Sequence, residues 1–508
     1  MSKNSNNLTS GSLLARNTVY SLVGQAFPVL AAIFSIPILI NALGADGFGV
    51  LTLAWMVTGY FSLLDLGVGR ALTKFLSAKL GQDDLEGIPG LIWAALMVAV
   101  LMGMCGTLVL TLATTTLVND VFSIPLAIQD DVEKSFYILA ISVPIVICSA
   151  ALRGILEAYQ RFDLINVVRI PVGSLTFLAP VLVLPFSENL SDLVTALVVV
   201  RLLEWVINVC FCIRVVPEML KHIRVQRSII VTLLSFGGWL TLSNLVGPIM
   251  VYLDRFLIGS IISISAVAYY ATSYEIVSRL MVIPGAIVGV LFPALGAVIG
   301  RNPSKATSMM FGGIKYTFIS VTPVLLIIFI FAYEGLSIWL GDEFANQGTV
   351  VLQWLVIGSF MTSFSYFPFA VLQAAGRPDL PAKLHLAEVG FYMMLAWILI
   401  GRYGIEGAAI AWAVRTILDT IILFHMAARV LKISYPKIKI LSLASLVVAL
   451  LSISLFLPED FYFKLGFSAV VCISLYTYSW MKLLTSDERG FLLSYVKRLK
   501  VIKNSQPE

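Results

Sequence analysis

The chain has 508 residues, 59% of them hydrophobic and 12% charged, with a formal net charge of +5. Soluble domains carry about 25% charged residues, so a water-exposed globule is excluded. The surplus positive charge lies in short segments between apolar blocks, which is no footprint for nucleic acid.

In chain order, residues 1–16 are polar. The first apolar block, about 18–40, is long enough to stay in a membrane as a span rather than leave as a signal peptide. Further blocks predict spans at about 47–66, 88–117, 135–156, 167–186, 193–213, 230–257, 265–290, 315–333, 350–373, 384–401, 405–428, 440–457 and 462–482. All reach the roughly 18 residues needed to cross a hydrocarbon core. They are continuously apolar, without the period-2 alternation of an outer-membrane barrel. The fold class is therefore an all-α polytopic membrane protein of about fourteen transmembrane helices. The tail, 487–508, mixes Phe491, Leu492 and Val496 with Lys497, Arg498, Lys500 and Lys503. It reads as a basic amphipathic helix on an anionic leaflet or as a solvated tail.

The loops test the count, because Lys and Arg collect on the cytoplasmic side of a correctly ordered topology. The N-terminus, every second loop and the C-terminus, span ends included, hold 27 of the 34 Lys and Arg residues. The opposite loops hold Lys134, Arg402 and Lys464, and Arg201, Arg255, Arg279 and Arg415 remain inside spans. A missed span would invert this alternation, so both termini are expected in the cytoplasm.

The first two spans resemble the seventh and eighth at an offset of about 220 residues. Gln25 and Pro28 correspond to Asn244 and Pro248, and the run Gly49–Ala54 lies beside Ala268–Ser273. Six spans per copy is an even number, so the copies are parallel. The expected organisation is an N-terminal lobe over 1–220, a second lobe over 227–433, an extra helix pair over 434–486 and the tail. Prolines 28, 37, 144, 171, 248, 284, 323 and 368 in or near spans are candidate hinges.

The five cysteines fall inside apolar blocks with no CxxC, as packing residues do. His222, His385 and His425 lie in separate segments, which gives no metal-ligand spacing, and no P-loop appears. No metal, cofactor or ATP hydrolysis is expected.

Several short runs point further. Leu43-Gly44-Ala45-Asp46-Gly47-Phe48-Gly49 resembles the LGxxxFG loop of polysaccharide transporters in the multidrug/oligosaccharidyl-lipid/polysaccharide exporter superfamily. Asp65–Gly69, Ala158–Asp163, Ser235–Trp239 and Asp254–Gly259 are similar to other recurring runs of that family, and the resemblance covers about residues 15–430. It implies a flippase of the bacterial inner membrane rather than an enzyme. The implied cargo is an undecaprenyl-pyrophosphate-linked repeat unit for O-antigen, capsule or exopolysaccharide. Membrane lipids, a polysaccharide polymerase and chain-length proteins are the implied partners, with a proton or sodium counter-ion. Fourteen spans depart from the twelve common in O-antigen flippases and leave the glycan open.

Flipping needs a polar path, since unpaired polar groups are costly in hydrocarbon, and ionisable residues inside spans are the first candidates. Arg255, Arg415, Arg201 and Arg279 are candidate substrate contacts, with Arg70 and Lys74 at the cytoplasmic face; a guanidinium suits pyrophosphate through its bidentate fork. Glu204, Glu275, Asp419 and Asp254 are candidate ion-coupling groups. Arg201–Glu204 and Glu275–Arg279 also fit local ion pairs that only fix packing, and Glu275–Arg279 has a better order than Arg415–Asp419. Trp239, Tyr252, Tyr269, Tyr270 and Tyr274 are candidate sugar-stacking surfaces or interface anchors. A multidrug-type antiporter and a membrane glycosyltransferase or polymerase are the competing readings. The intramembrane arginines argue against the first and the short outer loops against the second.

Overall fold

The computed structural model describes residues 11–63, 68–81, 87–220, 229–231, 250, 252–299, 302–432, 460–486 and 488–490, with side chains from residue 27 onward except at 60–63, 70, 74, 78, 81, 293 and 297. The expected span at 440–457, most of that at 230–257, the run Ser235–Trp239 and the basic tail beyond 490 lie outside the described residues. The described residues form helices and no strand. Ten of the helices are long and apolar enough to cross a membrane.

The first helix, α1 (Gly11–Leu63), has 53 residues. At 1.5 Å per residue it would be about 80 Å long if straight, far more than a bilayer needs. Gly44 breaks it, with φ 67 and ψ 178, a conformation that a side chain disfavours. The helices that follow are α2 (Val68–Gly81), α3 (Ile88–Thr116), α4 (Leu126–Ala158), α5 (Phe162–Val183), α6 (Leu190–Val215), α7 (252–261), α8 (Ile264–Leu280), α9 (Val282–Val298), α10 (Pro303–Ile330), α11 (Ala332–Leu340), α12 (Asp342–Ala374), α13 (Asp379–Leu431) and α14 (Phe461–Tyr478). The α13 helix also has 53 residues and is broken at Gly404, φ 61 and ψ −141. A Cβ at Gly407 would overlap the Leu399 carbonyl, so the two arms of α13 meet backbone to backbone. Divided at these glycines, the described helices contain twelve of the fourteen expected spans and part of the seventh.

Two boundaries differ from the sequence reading. The outer segment 118–134 is not a loop, because α4 already begins at Leu126. Its first turns are held there by Asp131, whose carboxylate accepts the backbone N–H of Leu190 at 2.6 Å. The eighth span is two helices that meet at Met281. Pro284 has no N–H for the Leu280 carbonyl and its ring crowds that group, which ends α8 there.

The internal repeat continues well past the first two spans. Each of α4 and α12 has 33 residues, and their ends differ by 216 in number. Gln160 and Gly376 follow them, both with positive φ. Arg161 N–H donates to the Leu156 carbonyl at 2.8 Å and Arg377 N–H to the Leu372 carbonyl at 3.0 Å. Arg161 grips Asp163 through two hydrogen bonds of 2.9 and 2.8 Å, and Arg377 grips Asp379 through two of 3.0 and 3.3 Å. These guanidinium hydrogen bonds hold both carboxyls below their ordinary range. Earlier in the chain, the break at Gly44 matches extended Ser263, an offset of 219. We call α1–α6 the N-terminal half and α7–α13 the C-terminal half.

The halves meet mainly along α1 and α8. A Cβ at Gly49 would overlap the Ile264 carbonyl, so glycine permits the approach. The Ser123 N–H donates to the Gly259 carbonyl at 3.0 Å, Trp339 Nε1 donates to the Ile33 carbonyl at 2.8 Å, and the Phe122 and Phe256 rings sit 5.4 Å apart. All of these contacts lie at the end where Lys and Arg are scarce. The segment that runs from α14 to residue 490 is pinned to the C-terminal half near its start and near its end. Lys464 Nζ is 2.6 Å from Glu334 Oε1, and Lys315 Nζ is 2.6 Å from Glu488 Oε1.

Candidate transport site between the halves

The polar centre begins with two adjacent residues on α7. Asp254 is fully buried and Arg255 nearly so. The Asp254 carboxylate accepts the Arg255 backbone N–H at 2.7 Å and the hydroxyl of Tyr270 on α8. The tight turn at Ser263, whose hydroxyl accepts the Ala266 N–H at 3.1 Å, folds α8 back along α7 and brings Tyr270 opposite Asp254. One helical turn further, Tyr274 comes over Arg255. The guanidinium carbon lies 4.8 Å from the Tyr274 ring centre and 5.4 Å from that of Tyr252. Aromatic faces attract a cation in this position, so Arg255 is held on its flanks.

Arg255 borders a cavity of about 420 Å³ between the halves. The C-terminal half supplies its charged wall: Arg255, Glu275 and Arg279. Glu275 and Arg279 form the expected i,i+4 ion pair. The N-terminal half supplies Thr52, Trp55 and Phe177. Arg279 reaches across the gap to within 5.7 Å of the Phe177 ring centre. The buried Trp55 Nε1, Thr272 Oγ1 and Arg279 Nε belong to lining residues and have no hydrogen-bond partner. Groups of this kind are costly unless something accepts or donates to them.

Behind this wall, Tyr274 packs edge-on against Trp412 of α13 at 5.7 Å. Around Trp412, α13 carries a second set of charges. Arg415 lies over the Tyr392 ring at 5.3 Å, and its Nη1 is 3.8 Å from Glu388 Oε2. Asp419 Oδ1 is 3.3 Å from His385 Nε2.

The structure thus brings Arg255, Arg279 and Glu275 to one cavity, with Asp254 directly behind. It places Arg415 and Asp419 one helix further back. Asp419 pairs with His385, and the carboxylate nearest to Arg415 is Glu388. The reversal at Gly404 decides this, because it sets the two arms of α13 side by side. Arg201 and Glu204 form a closed pair at 3.0 Å on α6, away from the cavity lining. Arg70 and Lys74 fall on α2, and their side chains lie outside the described residues, as does Trp239. Tyr252 and Tyr274 line the cavity, Tyr270 holds Asp254, and Tyr269 donates to Glu343 at 2.5 Å.

The fold also brings together one histidine and two carboxylates that lie apart in the sequence. His385 and Glu388 are three apart on one helix face and share a cluster with Asp419. The helical spacing of the first two was readable; the third needs the Gly404 reversal. Trp55, Phe177, Glu388 and Tyr392 were also missed, because nothing local marks an aromatic or a lone acid as cavity-facing.

The polysaccharide biosynthesis protein family matches residues 14–298, more than half of the chain. The chain belongs to this family. Among relatives, it is 29% identical over 421 residues to a Shigella flexneri protein named "Putative O-antigen transporter", covering 82% of this chain and 98% of that one. It is 25% identical over 222 residues to the "Probable low-salt glycan biosynthesis flippase Agl15" of Haloferax volcanii, covering 43% and 47% of the two chains. Among solved structures, an inward-facing multidrug resistance MATE family transporter of the MOP superfamily aligns with TM-score 0.69 at 18% identity, covering 81% of this chain and 98% of that one. A MOP superfamily transporter from Pyrococcus furiosus aligns with TM-score 0.61 at 17% identity, covering 83% and 96%. The family member described here therefore has the fold of MATE-type transporters.

Proposed function

We propose that the protein is a flippase. It carries a lipid-linked oligosaccharide, an undecaprenyl-pyrophosphate-linked repeat unit, from the cytoplasmic to the outer leaflet of the bacterial inner membrane for surface polysaccharide synthesis. The observation that carries this reading is the cavity between the halves, with cations and aromatic rings on its walls and unpartnered polar groups facing it. In a family whose named relatives handle O-antigen and glycans, such a cavity suits a sugar head that cannot cross hydrocarbon alone.

In this reading the lobes are residues 1–220 and 227–433, both termini are cytoplasmic, and the lobes rock to give alternating access. The contacts between the halves at the Lys- and Arg-poor end support reading this form as the one open to the cytoplasm. Arg255 and Arg279 meet the cargo in the cavity. Arg415 tunes the field around it, Arg201 stays paired with Glu204 on α6, and Arg70 and Lys74 meet it at the cytoplasmic face. Glu275, Asp254, Asp419 and Glu204 are the carboxylates available to a coupling proton or sodium ion. An outward-moving pyrophosphate also gains about 2.3 kcal/mol per charge per 100 mV of cytoplasm-negative potential.

Purified protein in liposomes loaded with an undecaprenyl-diphosphate oligosaccharide tests this. Glycan sheltered in the inner leaflet should become accessible to an impermeant glycosidase. If the sheltered fraction stays constant with wild-type protein, the flippase reading fails; efflux of a cationic dye in that same preparation would favour a multidrug antiporter.

A further inference from the structure

Behind the cavity, α13 carries a cluster of side chains that is not part of the cavity lining. His385 and Glu388 lie one turn apart on its first arm, and Asp419 faces them from the second. One donor atom from each, a ring nitrogen and two carboxylate oxygens, lie within 4.8 Å of one another. Glu388 is only 7% exposed, and neither of its carboxylate oxygens has a hydrogen-bond partner. A buried carboxylate in that condition is costly.

The nearest cation does not relieve it. Arg415 Nη1 stands 3.8 Å from Glu388 Oε2, beyond hydrogen-bond range, and Arg415 Nε is itself unpartnered. The imidazole ring stacks on Phe369 with centroids 6.1 Å apart and planes 13° apart, which fixes its orientation. His385 is 29% exposed on its side chain, so an ion can reach the group.

We propose that His385, Glu388 and Asp419 bind a divalent transition-metal ion of the Zn²⁺ class and so tie together the two arms of α13. An imidazole nitrogen with two carboxylates suits Zn²⁺ or its neighbours, whereas Mg²⁺ and Ca²⁺ take oxygen alone. Zn²⁺ holds such donors at about 2.0–2.2 Å. A tetrahedral ion sets such donors about 3.4 Å apart, so the widest donor pair closes by up to roughly 1.4 Å on binding, within reach of side-chain rotation. Three protein donors leave a fourth position open. Arg415 competes with the ion for Glu388; when the ion binds, the guanidinium keeps the Tyr392 ring and the Met250 sulfur, 3.8 Å from Nη1. The site goes beyond the transport reading and is measured without transport.

The test is Zn²⁺ binding to the purified, chelator-stripped full chain in detergent, by competition with a chromophoric chelator. One Zn²⁺ per chain is expected. His385→Ala and Glu388→Gln should each weaken binding about 100-fold or more, beyond the 10–100-fold that even outer-shell changes cost metal sites. Arg415→Gln should strengthen it at least about tenfold by removing the competing charge, a change of about 1.4 kcal/mol. Melting temperature reports folding, and partly exposed His385→Ala decides alone if a buried variant fails to fold. Absence of Zn²⁺ uptake, uptake unchanged in His385→Ala, retention of Na⁺ in place of Zn²⁺, or weaker binding in folded Arg415→Gln each overturns the proposal.

Discussion

Counted at the offset of 219 that pairs Ser263 with Gly44, the C-terminal half has Asp254, Arg255 and Glu275 where the N-terminal half has Ser35, Ile36 and Met56. At the later offset of 216, Glu388, Arg415 and Asp419 stand where the N-terminal half has Val172, Val199 and Leu203. Val172 is buried in an apolar cluster with Val168, Ala179 and Val200, while Val199 and Leu203 are exposed, as lipid-facing residues are. Trp55 and Tyr274 are equivalent and both aromatic, and both line the cavity. The helices, their breaks and the Arg–Asp turns are shared between the halves, so these belong to the scaffold. The buried charges are not shared, and they mark the half that carries the polar wall.

The comparison breaks most readily at Val172. Val172→Glu puts a carboxylate into a cluster with no counter-charge, at about 2.5–3.5 kcal/mol by membrane-insertion scales. Folded, inserted protein should fall sharply. Glu388→Gln, at the equivalent position, should leave abundance near wild type. Equal losses in both, measured by membrane fractionation and thermal melting, would erase the asymmetry.

Next in size is the seam between the halves. A side chain at Gly49 collides with the Ile264 backbone, and overpacking costs about 1–3 kcal/mol. Gly49→Ala should push the halves apart, so that Thr52→Cys reacts faster with an impermeant thiol reagent. Gly335→Ala, which meets open space, should leave that rate alone.

The attachment of α14 is weaker. Burial raises the Glu488 carboxyl, but hydrogen bonds from Lys315, Tyr316 and Thr485 outweigh it and bring the group from 4.5 down to about 2. A depressed value stabilises the fold above 4.5, and that stability is lost only as pH falls through about 2. A spin-label distance between α10 and α14 should therefore hold at pH 4–5 and lengthen in Glu488→Gln, a change of roughly 1 kcal/mol.

The smallest effects belong to the exposed turns. Arg161→Ala and Arg377→Ala should each cost under about 1 kcal/mol, and by similar amounts, since the two turns share one hydrogen-bond pattern. A melting shift confined to one of them would show that the turns are not equivalent.

What the sequence makes legible follows from range along the chain. Apolar blocks reveal the spans because each must satisfy its own backbone inside the membrane. The Glu275–Arg279 pair is legible because both residues sit on one helix, four apart. Asp254 and Tyr270 meet only because a tight turn at Ser263 folds α8 onto α7. Arg415 finds Glu388, 27 positions earlier, because Gly404 reverses α13. Helical periodicity cannot see through such reversals. Pro28, Pro37, Pro144 and Pro323 lie inside continuous helices, and the non-helical breaks within α1 and α13 are at glycines instead.

The central claim is that the cavity wall of the C-terminal half handles the cargo. Its most direct test is the flipping rate of Arg255→Ala in proteoliposomes, beside Arg201→Ala on α6. The account predicts at least a tenfold fall for Arg255→Ala with a wild-type melting temperature, and little change for Arg201→Ala. An unchanged rate in Arg255→Ala, or equal falls in both, would contradict it.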